Sequence, residues 1–480
     1  MQLAKNTEIE SKLVIDKENL KSLLKLDCVA QAVREGSCQK RKLVSSYYDT
    51  EDLAFKRQGI AYRVRSKGDG TYEATVKTSV QNAAGLSERM ELNLPLASAR
   101  PKLEGFGDLG LPTELTELAP NGVSKLFTVT VQRTTYILDL QGAVAELAVD
   151  HGKIVAGKDN AEPIDEVEIE LLEGDKGVLL ELAAKIAAAV PVFVEKRSKF
   201  VRGLALRGIM ADEAPVKERL GTGLVKDEVL AALAGHGEQL LTLQQKLNDN
   251  VSEELLKGLR RELLACRSLA TLAGVEECAL LTEALSTVEN VRRLLALQAL
   301  WQRIMFKGLL LGRSSLQKKL AEATLMAVQK LQQAAASGHF TAIVFALVSM
   351  VYKAELADAS VEARVKDALK QWQQVLTQKV PGTLSVDGKD IVPPDDGDGE
   401  AMLLPIKLAA AENISALARC TNLKAAAKAS EAVKKQRRQL HKQAVLVGWQ
   451  EQLQNICDAS TSKLVYREAG MILGYLLAKK

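Results

Sequence analysis

The chain has 480 residues, of which 47% are apolar, and its 64 basic and 60 acidic side chains leave a net charge of +4. This length predicts two or three domains with sizeable cores. The near balance of charge excludes a global attraction to nucleic acid, and the 4% aromatic content disfavours a base-stacking platform. The longest apolar run, AIVFALVSMVY, is too short to span a bilayer, so no membrane association is expected.

The cysteines and histidines do not indicate a catalytic or metal-binding site. The six cysteines are scattered and form no C-x-x-C pair. Because the N-terminus shows no signal peptide, free thiols in a reducing, cytoplasmic compartment are expected. The four histidines are also scattered, so a bound metal is expected to have oxygen ligands.

Apolar and polar side chains alternate up to about residue 205, which predicts β-strands. The predicted strands are TEIESKLVI, IAYRVRSK, TYEATVKT, SERMELNLPL, KLFTVTVQRTTYILDL, AVAELAVDHG and DEVEIELLEG. Helical spacing appears near residues 17–27 and 176–190. The stretch ADEAPVKERLGTG contains one Pro and two Gly and is predicted to belong to a linker over residues 209–223.

Beyond residue 223, apolar residues recur at three- and four-residue steps, which predicts a helical bundle over residues 224–480. Within it, Asn250 is predicted to cap a helix, with Glu253 in the capping-box position. The segment VDGKDIVPPDDGDGEAM (386–402) is rich in Gly, Pro and Asp and is predicted to be a loop between helices. The expected organisation is therefore a strand-rich domain over 1–208, the linker, and the helical domain.

The polar faces of the predicted strands carry mainly ionic side chains. Glu8, Glu10 and Lys12 share one face because alternate side chains of a strand point to the same side. A solvated antiparallel sheet accounts for each strand taken alone. The sorting of cations and acids onto different strands instead favours a closed barrel whose lumen they line. The remaining ionic positions are Arg63, Arg65, Lys77, Arg89, Glu91, Arg133, Glu146, Asp150, Glu166, Glu168, Glu170, Lys196 and Lys199.

A lumen with a cationic side and an acidic side suits the hydrolysis of a phosphoanhydride. Arginine and lysine bind phosphate oxygens, and clustered carboxylates hold Mg²⁺ or Mn²⁺. With a positioned water, these are the parts of metal-assisted phosphoryl hydrolysis. Carboxylates without a metal would repel the substrate, so a metal is close to obligatory.

The segment E-I-E-S-K (residues 8–12) resembles the E-x-E-x-K signature of the CYTH superfamily, the triphosphate tunnel metalloenzymes. Further motifs follow in the family's order over roughly residues 3–205: YYDT, GIAYRVR, TVK, RME, the lone Arg133, AELAVDHG, EVEIEL and SKFVRG. With its helical C-terminal half, the chain resembles the bacterial two-domain inorganic triphosphatases, in which a CYTH domain precedes a CHAD or CHAD-like helical domain.

The resemblance implies an α+β chain, with an eight-stranded antiparallel β-barrel (the tunnel), flanking helices and then an all-α helical bundle. It implies hydrolysis of inorganic triphosphate to pyrophosphate and phosphate with Mg²⁺ or Mn²⁺, with Glu8, Glu10 and Lys12 as catalytic residues. The implied substrate-binding residues are Arg63, Arg65, Lys77, Arg89, Arg133 and Lys199. The implied metal ligands are Glu8, Glu10, Glu91, Glu146, Asp150, Glu168 and Glu170, whereas Glu166 and Lys196 are left between the lumen and the outer face.

Alternative functions remain open at this stage. The fold also includes thiamine triphosphatases, nucleoside triphosphatases and class IV adenylyl cyclases, and a non-catalytic polyphosphate-binding protein is a further alternative. The intact N-terminal motif favours catalysis. CHAD domains are named for conserved histidines, but this region has only His236, His339 and His441. Polyphosphate is the partner that the resemblance implies there, and KKQRRQLHK (434–442) is either an anion-binding surface or a solvated helix face. His151 is expected to be a plain surface residue.

Overall fold

The computed structural model describes residues 6–78, 81–83, 86–195, 197–210, 217–275, 277–307, 314–356, 359–378, 384–386, 389–391 and 399–477. The chain divides into two compact units. One comprises Met1–Val216 together with Val344–Ser349, and the other comprises Lys217–Ile343 and Met350–Lys480.

The predicted linker is only partly described, because residues 211–216 lie outside the described residues. Further along, Leu220 forms a parallel β-bridge with Thr421. The Glu228 carboxylate accepts a hydrogen bond of 2.6 Å from the Gly221 amide. These contacts tie residues 217–223 into the second unit.

Over its described residues up to position 210, the first unit contains ten strands and six helices. Its strands are β1 (Thr7–Val14), β2 (Gln39–Asp49), β3 (Ala61–Ser66), β4 (Tyr72–Lys77), β5 (Gln81–Ala83), β6 (Leu86–Leu96), β7 (Ser124–Leu140), β8 (Ala143–Ala156), β9 (Asn160–Gly174) and β10 (Phe193–Val194). Its helices are α1 (Lys17–Leu23), α2 (Asp27–Ala30), α3 (Ala54–Arg57), α4 (Leu115–Leu118), α5 (Lys176–Ala189) and α6 (Lys199–Leu206).

Eight of these strands close into an antiparallel barrel. The strand order is β1-β9-β8-β7-β2-β3-β4-β6, and β6 pairs again with β1 to complete the ring. The short strands β5 and β10 add to the edges of β6 and β1. The predicted eight-stranded antiparallel barrel is therefore confirmed.

The alternation of each strand sorts its side chains between the lumen and the outer face. In β1 the apolar residues Ile9 and Leu13 are buried on the outer face. A second outer cluster packs Phe55 of α3 and Leu115 of α4 against Tyr62. The opposite faces of the same strands, which carry the ionic residues, are therefore left to the lumen.

One part of the lumen is apolar, which the sequence did not predict. Phe200 and Leu204 of α6 pack against lumen-facing residues of β2, β7, β8 and β9. The rings of Tyr47, Phe127 and Phe200 stack with centroids 4.8–6.2 Å apart. Gly203 lies so close to Phe127 that a Cβ atom there would be 2.2 Å from the ring. Helix α6 thus fills this part of the lumen, and the charged part lies beside it.

The second unit is mainly helical, as predicted. Its helices are α7 (Val225–Lys246), α8 (Glu253–Leu272), α9 (Ala279–Lys307), α10 (Ser315–Ala336), α12 (Val361–Thr377), α13 (Gly399–Leu417), α14 (Lys424–Asp458) and α15 (Lys463–Leu477), together with the two ends of α11 (His339–Lys353), whose residues Val344–Ser349 are counted with the first unit. One of its cores gathers Leu297, Trp301, Leu316, Leu453 and Ile472 from four helices.

Two local predictions in this unit were wrong. Helix α8 is capped by Ser252, whose hydroxyl accepts from the Leu255 amide at 3.1 Å, and Asn250 precedes the cap. The stretch predicted as a loop over 386–402 includes a hairpin strand, because β11 (Leu384–Val386) pairs with β12 (Lys389–Ile391). The rest of that loop up to residue 398 lies outside the described residues.

No single helix among the described residues is long and apolar enough to cross a membrane. One pair, α10 and α11, passes that test together by length and composition, but it is bent by 58° at its break.

Candidate active site

Strand register brings the ionic residues of β1, β4 and β6 together. Glu8 lies opposite Arg89, and Lys77 lies opposite Glu91. The Lys77 ammonium is 2.8 Å from Glu8 Oε1 and 2.6 Å from Glu91 Oε2. Arg89 donates from Nε to Glu8 at 2.6 Å and from a terminal nitrogen to Glu10 at 2.5 Å. The first carboxylate of the N-terminal signature is therefore held by two cations from neighbouring strands.

A second cluster lies where β1, β7, β8 and β9 meet α6. The Lys199 ammonium is 2.9 Å from Asp150, 2.9 Å from Glu166 and 2.7 Å from Glu168. Arg133 forms a two-point contact of 2.6 Å with both oxygens of Asp150 and also reaches Glu168. Lys12, 3.3 Å from Glu168 and 3.8 Å from Glu10, joins this cluster to the first one. The ion pairs thus form one continuous network across the lumen.

The network keeps its members charged. Burial alone would lower the pKa of the Lys199 ammonium, but the carboxylates of Asp150 and Glu168 raise it above its ordinary range. Burial likewise opposes ionisation of Glu168, yet Lys199 and Arg133 hold its pKa well below the usual value. Buried charges of this kind are tolerated because each has partners at hydrogen-bonding distance.

Two guanidinium groups of the lumen have fewer acidic partners, among the described residues, than the other cations of the network. Within the described residues, Arg65 forms no ion pair, and its Nε donates to the Ser45 hydroxyl at 2.9 Å. Burial, followed by the positive charges of Arg63 and Arg133, lowers the pKa of Arg65 to about 10. The buried Nε of Arg63 has no hydrogen-bond partner in the described part of the chain. Arg65 can therefore accept an anion such as phosphate without first losing a carboxylate, whereas Arg63 has a single long ion pair, of 3.7 Å with Glu91.

Two carboxylates of the lumen, in contrast, have no basic side chain paired with them in the described part of the chain. Glu146 and Glu170 face each other in the β8–β9 register, and neither forms an ion pair within the described ranges. Burial and the neighbouring Glu8 carboxylate raise the pKa of Glu170 to about 8. Burial also raises the pKa of Glu146. This part of the lumen therefore has a surplus of negative charge.

The residues fit a hard divalent cation by their chemistry. The lumen offers carboxylate oxygens, which Mg²⁺ and Mn²⁺ prefer, and Glu170 is short of a positive neighbour. Among the described residues no group of three or more acidic, histidine or cysteine side chains is arranged to hold a metal ion. The reason is visible in the network, because Glu8, Glu10 and Glu168 are turned towards lysine and arginine.

The structure brings the sequence-predicted site residues onto one lumen face, with some additions. Glu166, which the sequence left unassigned, is 1% exposed and contacts Lys199. Arg202, missed in the sequence, is also buried and contacts Glu166. The SKFVRG motif could have identified Arg202 from the sequence, because Arg202 lies one helical turn after Lys199 in it. Lys196 lies outside the described residues.

Tyr47 of the YYDT motif also faces the lumen, opposite Arg63 in the β2–β3 register. Burial opposes its ionisation, but Arg63 and Arg65 lower the pKa of its phenol. The following Asp49 is buried and accepts from the Phe55 and Lys56 amides at 2.9 and 3.0 Å, which fixes the start of α3. This motif thus supplies one lumen residue and one structural cap.

Several basic residues of the second unit form ion pairs within it. Arg260 pairs with Glu289 and Glu412, and Arg292 pairs with Glu289 at 3.0 Å. The KKQRRQLHK stretch lies on α14, where Lys434 pairs with Glu431 at 3.0 Å. Its role as an anion-binding surface stays a prediction.

His236 is buried between the helices of this unit. Its Nδ1 lies 2.7 Å from Glu262 and its Nε2 lies 3.0 Å from the Glu218 carbonyl. Burial would lower the pKa of His236, but Cys420 and Glu262 raise it to about 10. His151 in the first unit is half exposed and pairs with Asp165 at 2.5 Å.

Comparisons with known proteins show which family the barrel resembles. Residues 6–204 match the CYTH domain. The inorganic triphosphatase of Haemophilus influenzae is 30% identical over 168 residues, which cover 34% of this chain and 46% of that protein. The chain thus spans about half the length of the curated relative it matches.

Two solved structures resemble parts of the chain. A protein from Hippeastrum described as having a dominant triphosphatase activity is 17% identical, with a TM-score of 0.30, covering 42% of this chain and 97% of that one. The CHAD domain from the plant Ricinus communis is 16% identical, with a TM-score of 0.35, covering 56% and 92%. The stretch that matches the CYTH domain, residues 6–204, coincides with the closed barrel and its ionic network.

Proposed function

We propose that the barrel hydrolyses inorganic triphosphate to pyrophosphate and phosphate, with Mg²⁺ or Mn²⁺ as the cofactor. The observation that supports this proposal is that some charged groups of the network have no partner of opposite charge among the described residues. Among the residues that the structure describes, Arg65 forms no ion pair and the Nε atom of Arg63 has no hydrogen-bond partner, while Glu146 and Glu170 form no ion pair. A phosphate chain and a divalent cation together supply both missing charges.

The chain's own residues have distinct tasks in this reaction. Arg63 and Arg65 bind and orient phosphate oxygens through their forked donors. Lys77, Arg89, Arg133 and Lys199 exchange a carboxylate partner for a phosphate oxygen when the substrate enters. When bound, the metal neutralises developing charge and polarises a water molecule.

The acidic residues of β1 are placed to act on water. Each substrate oxygen that replaces Glu8 at Lys77 or Arg89 frees a carboxylate oxygen beside the phosphate chain. A freed carboxylate at hydrogen-bonding distance orients the attacking water and accepts its proton. Glu10 and Lys12 lie next along the same face of β1 and complete the expected catalytic group.

The test is phosphate release from tripolyphosphate, pyrophosphate, ATP and thiamine triphosphate, each with Mg²⁺ and with Mn²⁺. Metal-dependent release from tripolyphosphate is expected to dominate. Glu8→Gln and Glu10→Gln are each expected to lower kcat by about 100-fold, as for loss of a positioned acid–base group, and Glu173→Gln, an exposed change on β9, serves as the matched control. Preference for an organic triphosphate, or unchanged rates in both variants, would refute the assignment.

A further inference from the structure

Helix α6 delivers two cations to the same strand. Ser198 caps the helix, its hydroxyl accepting from the Val201 amide at 3.2 Å. Lys199 and Arg202 are three residues apart and therefore lie on one face of the helix. Both reach carboxylates of β9, and both are buried. Lys199 belongs to the phosphate-binding set, whereas Arg202 has no role in the proposed reaction so far.

Each nitrogen atom of the Arg202 guanidinium has a protein partner. Its Nε donates to Glu162 at 2.7 Å, one terminal nitrogen contacts Glu166, and the other donates to the Pro163 carbonyl at 2.6 Å. The Arg202 side chain is 5% exposed. Because each of its three nitrogen atoms has a partner among the described residues and the side chain is buried, the Arg202 guanidinium is not placed to contact a substrate.

Glu166 links Arg202 to Lys199. Its Oε1 contacts Arg202, and its Oε2 lies 2.9 Å from the Lys199 ammonium. The same ammonium lies 2.9 Å from Asp150 and 2.7 Å from Glu168. The Lys199 ammonium is therefore held between Glu166, which Arg202 also contacts, and the carboxylates of Asp150 and Glu168.

We infer that Arg202 is a positioning residue, which holds and neutralises Glu166 so that the Lys199 ammonium stays directed at the lumen. The inference rests on the proposed function, because it takes Lys199 as a phosphate ligand. Without Arg202, Glu166 would carry an uncompensated charge in contact with Lys199. That charge would draw the ammonium away from Asp150 and would also repel the phosphate chain.

Tripolyphosphate binding measures this effect without turnover. Isothermal titration of the full chain with Mg²⁺ and a non-hydrolysable, methylene-bridged analogue of tripolyphosphate is expected to show a dissociation constant about tenfold higher for Arg202→Gln, which corresponds to about 1.4 kcal/mol. Arg197→Gln is the matched control, because Arg197 lies just before α6 and is 51% exposed. It is expected to bind as the wild type does. Arg202→Lys, which keeps the charge but loses the forked contacts, is expected to fall between wild type and Arg202→Gln.

A charge-compensated double variant separates positioning from general damage to the fold. If uncompensated Glu166 causes the loss, Arg202→Gln combined with Glu166→Gln should recover affinity to within about threefold of wild type, because contacting residues couple. A purely structural role would instead make the two losses add. Circular dichroism checks that each variant is folded. Unchanged affinity in Arg202→Gln, or no recovery in a folded double variant, overturns the inference.

Crystal structures of the wild type and Arg202→Gln test the positioning without any substrate. The Lys199 ammonium is expected to move towards Glu166 and to lose its contact with Asp150. An unmoved ammonium overturns the inference even if tripolyphosphate binds as proposed. Conversely, a wild-type protein that does not bind tripolyphosphate refutes the proposed function, while the displacement of Lys199 still decides the role of Arg202.

Discussion

Glu170 makes the stability of the metal-free barrel depend on pH. Burial and the Glu8 carboxylate raise the pKa of Glu170 from 4.5 to about 8. Between these values the folded state holds a proton that the unfolded state has lost, so the free energy of unfolding falls as pH rises from 4.5 to 8. At about 1.4 kcal/mol per pKa unit, the 3.5-unit difference corresponds to a loss of roughly 5 kcal/mol.

Replacing Glu170 by Gln removes this titration while keeping the shape of the side chain. In a chelator, Glu170→Gln is expected to match the wild type near pH 5 and to exceed its stability by several kcal/mol at pH 8. Millimolar Mg²⁺ at pH 8 is expected to stabilise the wild type more than the variant, because a ligand stabilises only the state that binds it. Glu173→Gln, an exposed change on the same strand, should follow the wild type throughout.

Hydrogen exchange of peptides from β8 and β9 is the suitable assay, because it reports opening of the barrel itself. Fluorescence of Trp301, Trp372 and Trp449 reports only the second unit, which contains all three tryptophans. That signal is expected to be the same in the wild type and Glu170→Gln at each pH. Parallel exchange profiles for both proteins between pH 5 and pH 8 would show that Glu170 does not titrate as argued.

Three further predictions concern other parts of the chain. Arg65→Met is expected to weaken tripolyphosphate binding about tenfold or more, as for a lost charged hydrogen bond. It is also expected to raise the melting temperature, because it removes a partly buried cation that has no ion pair among the described residues. Calorimetry checks both, and a fall in both would contradict the argument. Gly203→Ala is expected to destabilise the barrel by about 1–3 kcal/mol, since its Cβ would meet the Phe127 ring; an unchanged melting temperature would refute this. Because Glu262 and Cys420 raise the pKa of His236 to about 10, the stability of the second unit is expected to be highest below pH 6.5 and to fall as pH rises towards 10. Tryptophan-monitored denaturation should show this slope in the wild type and not in His236→Gln.

The sequence predicted which lumen residues carry charge, but not which residues pair. Period-two alternation was enough to place Glu8, Glu10 and Lys12 on one face. Their partners depend on strand register, which sets Glu8 against Arg89 on β6 and Lys12 against Glu168 on β9. Register is fixed by closure of the whole barrel, and no local pattern in a single strand contains it.

The errors in the second unit have local causes. Asn and Ser are similarly good N-caps, so the sequence around Asn250 and Ser252 offered two starts for α8, and packing selected the later one. The stretch VDGK carries the Asp-Gly dipeptide that favours a two-residue hairpin turn. Its glycine- and proline-rich context concealed the strands on either side.

Helix α6 shows why a lumen cannot be inferred from strand alternation alone. Its sequence KFVRGLAL has helical spacing, yet nothing in that spacing says that Phe200 and Leu204 pack on lumen-facing residues. Only the folded barrel places the apolar side of α6 on Phe127 and its cationic side on β9. Because one helix both fills part of the lumen and carries Lys199, its seating and the geometry of the phosphate site are coupled. Preorganised charge acts on a transition state without reorganisation, and here that preorganisation depends on how α6 is anchored.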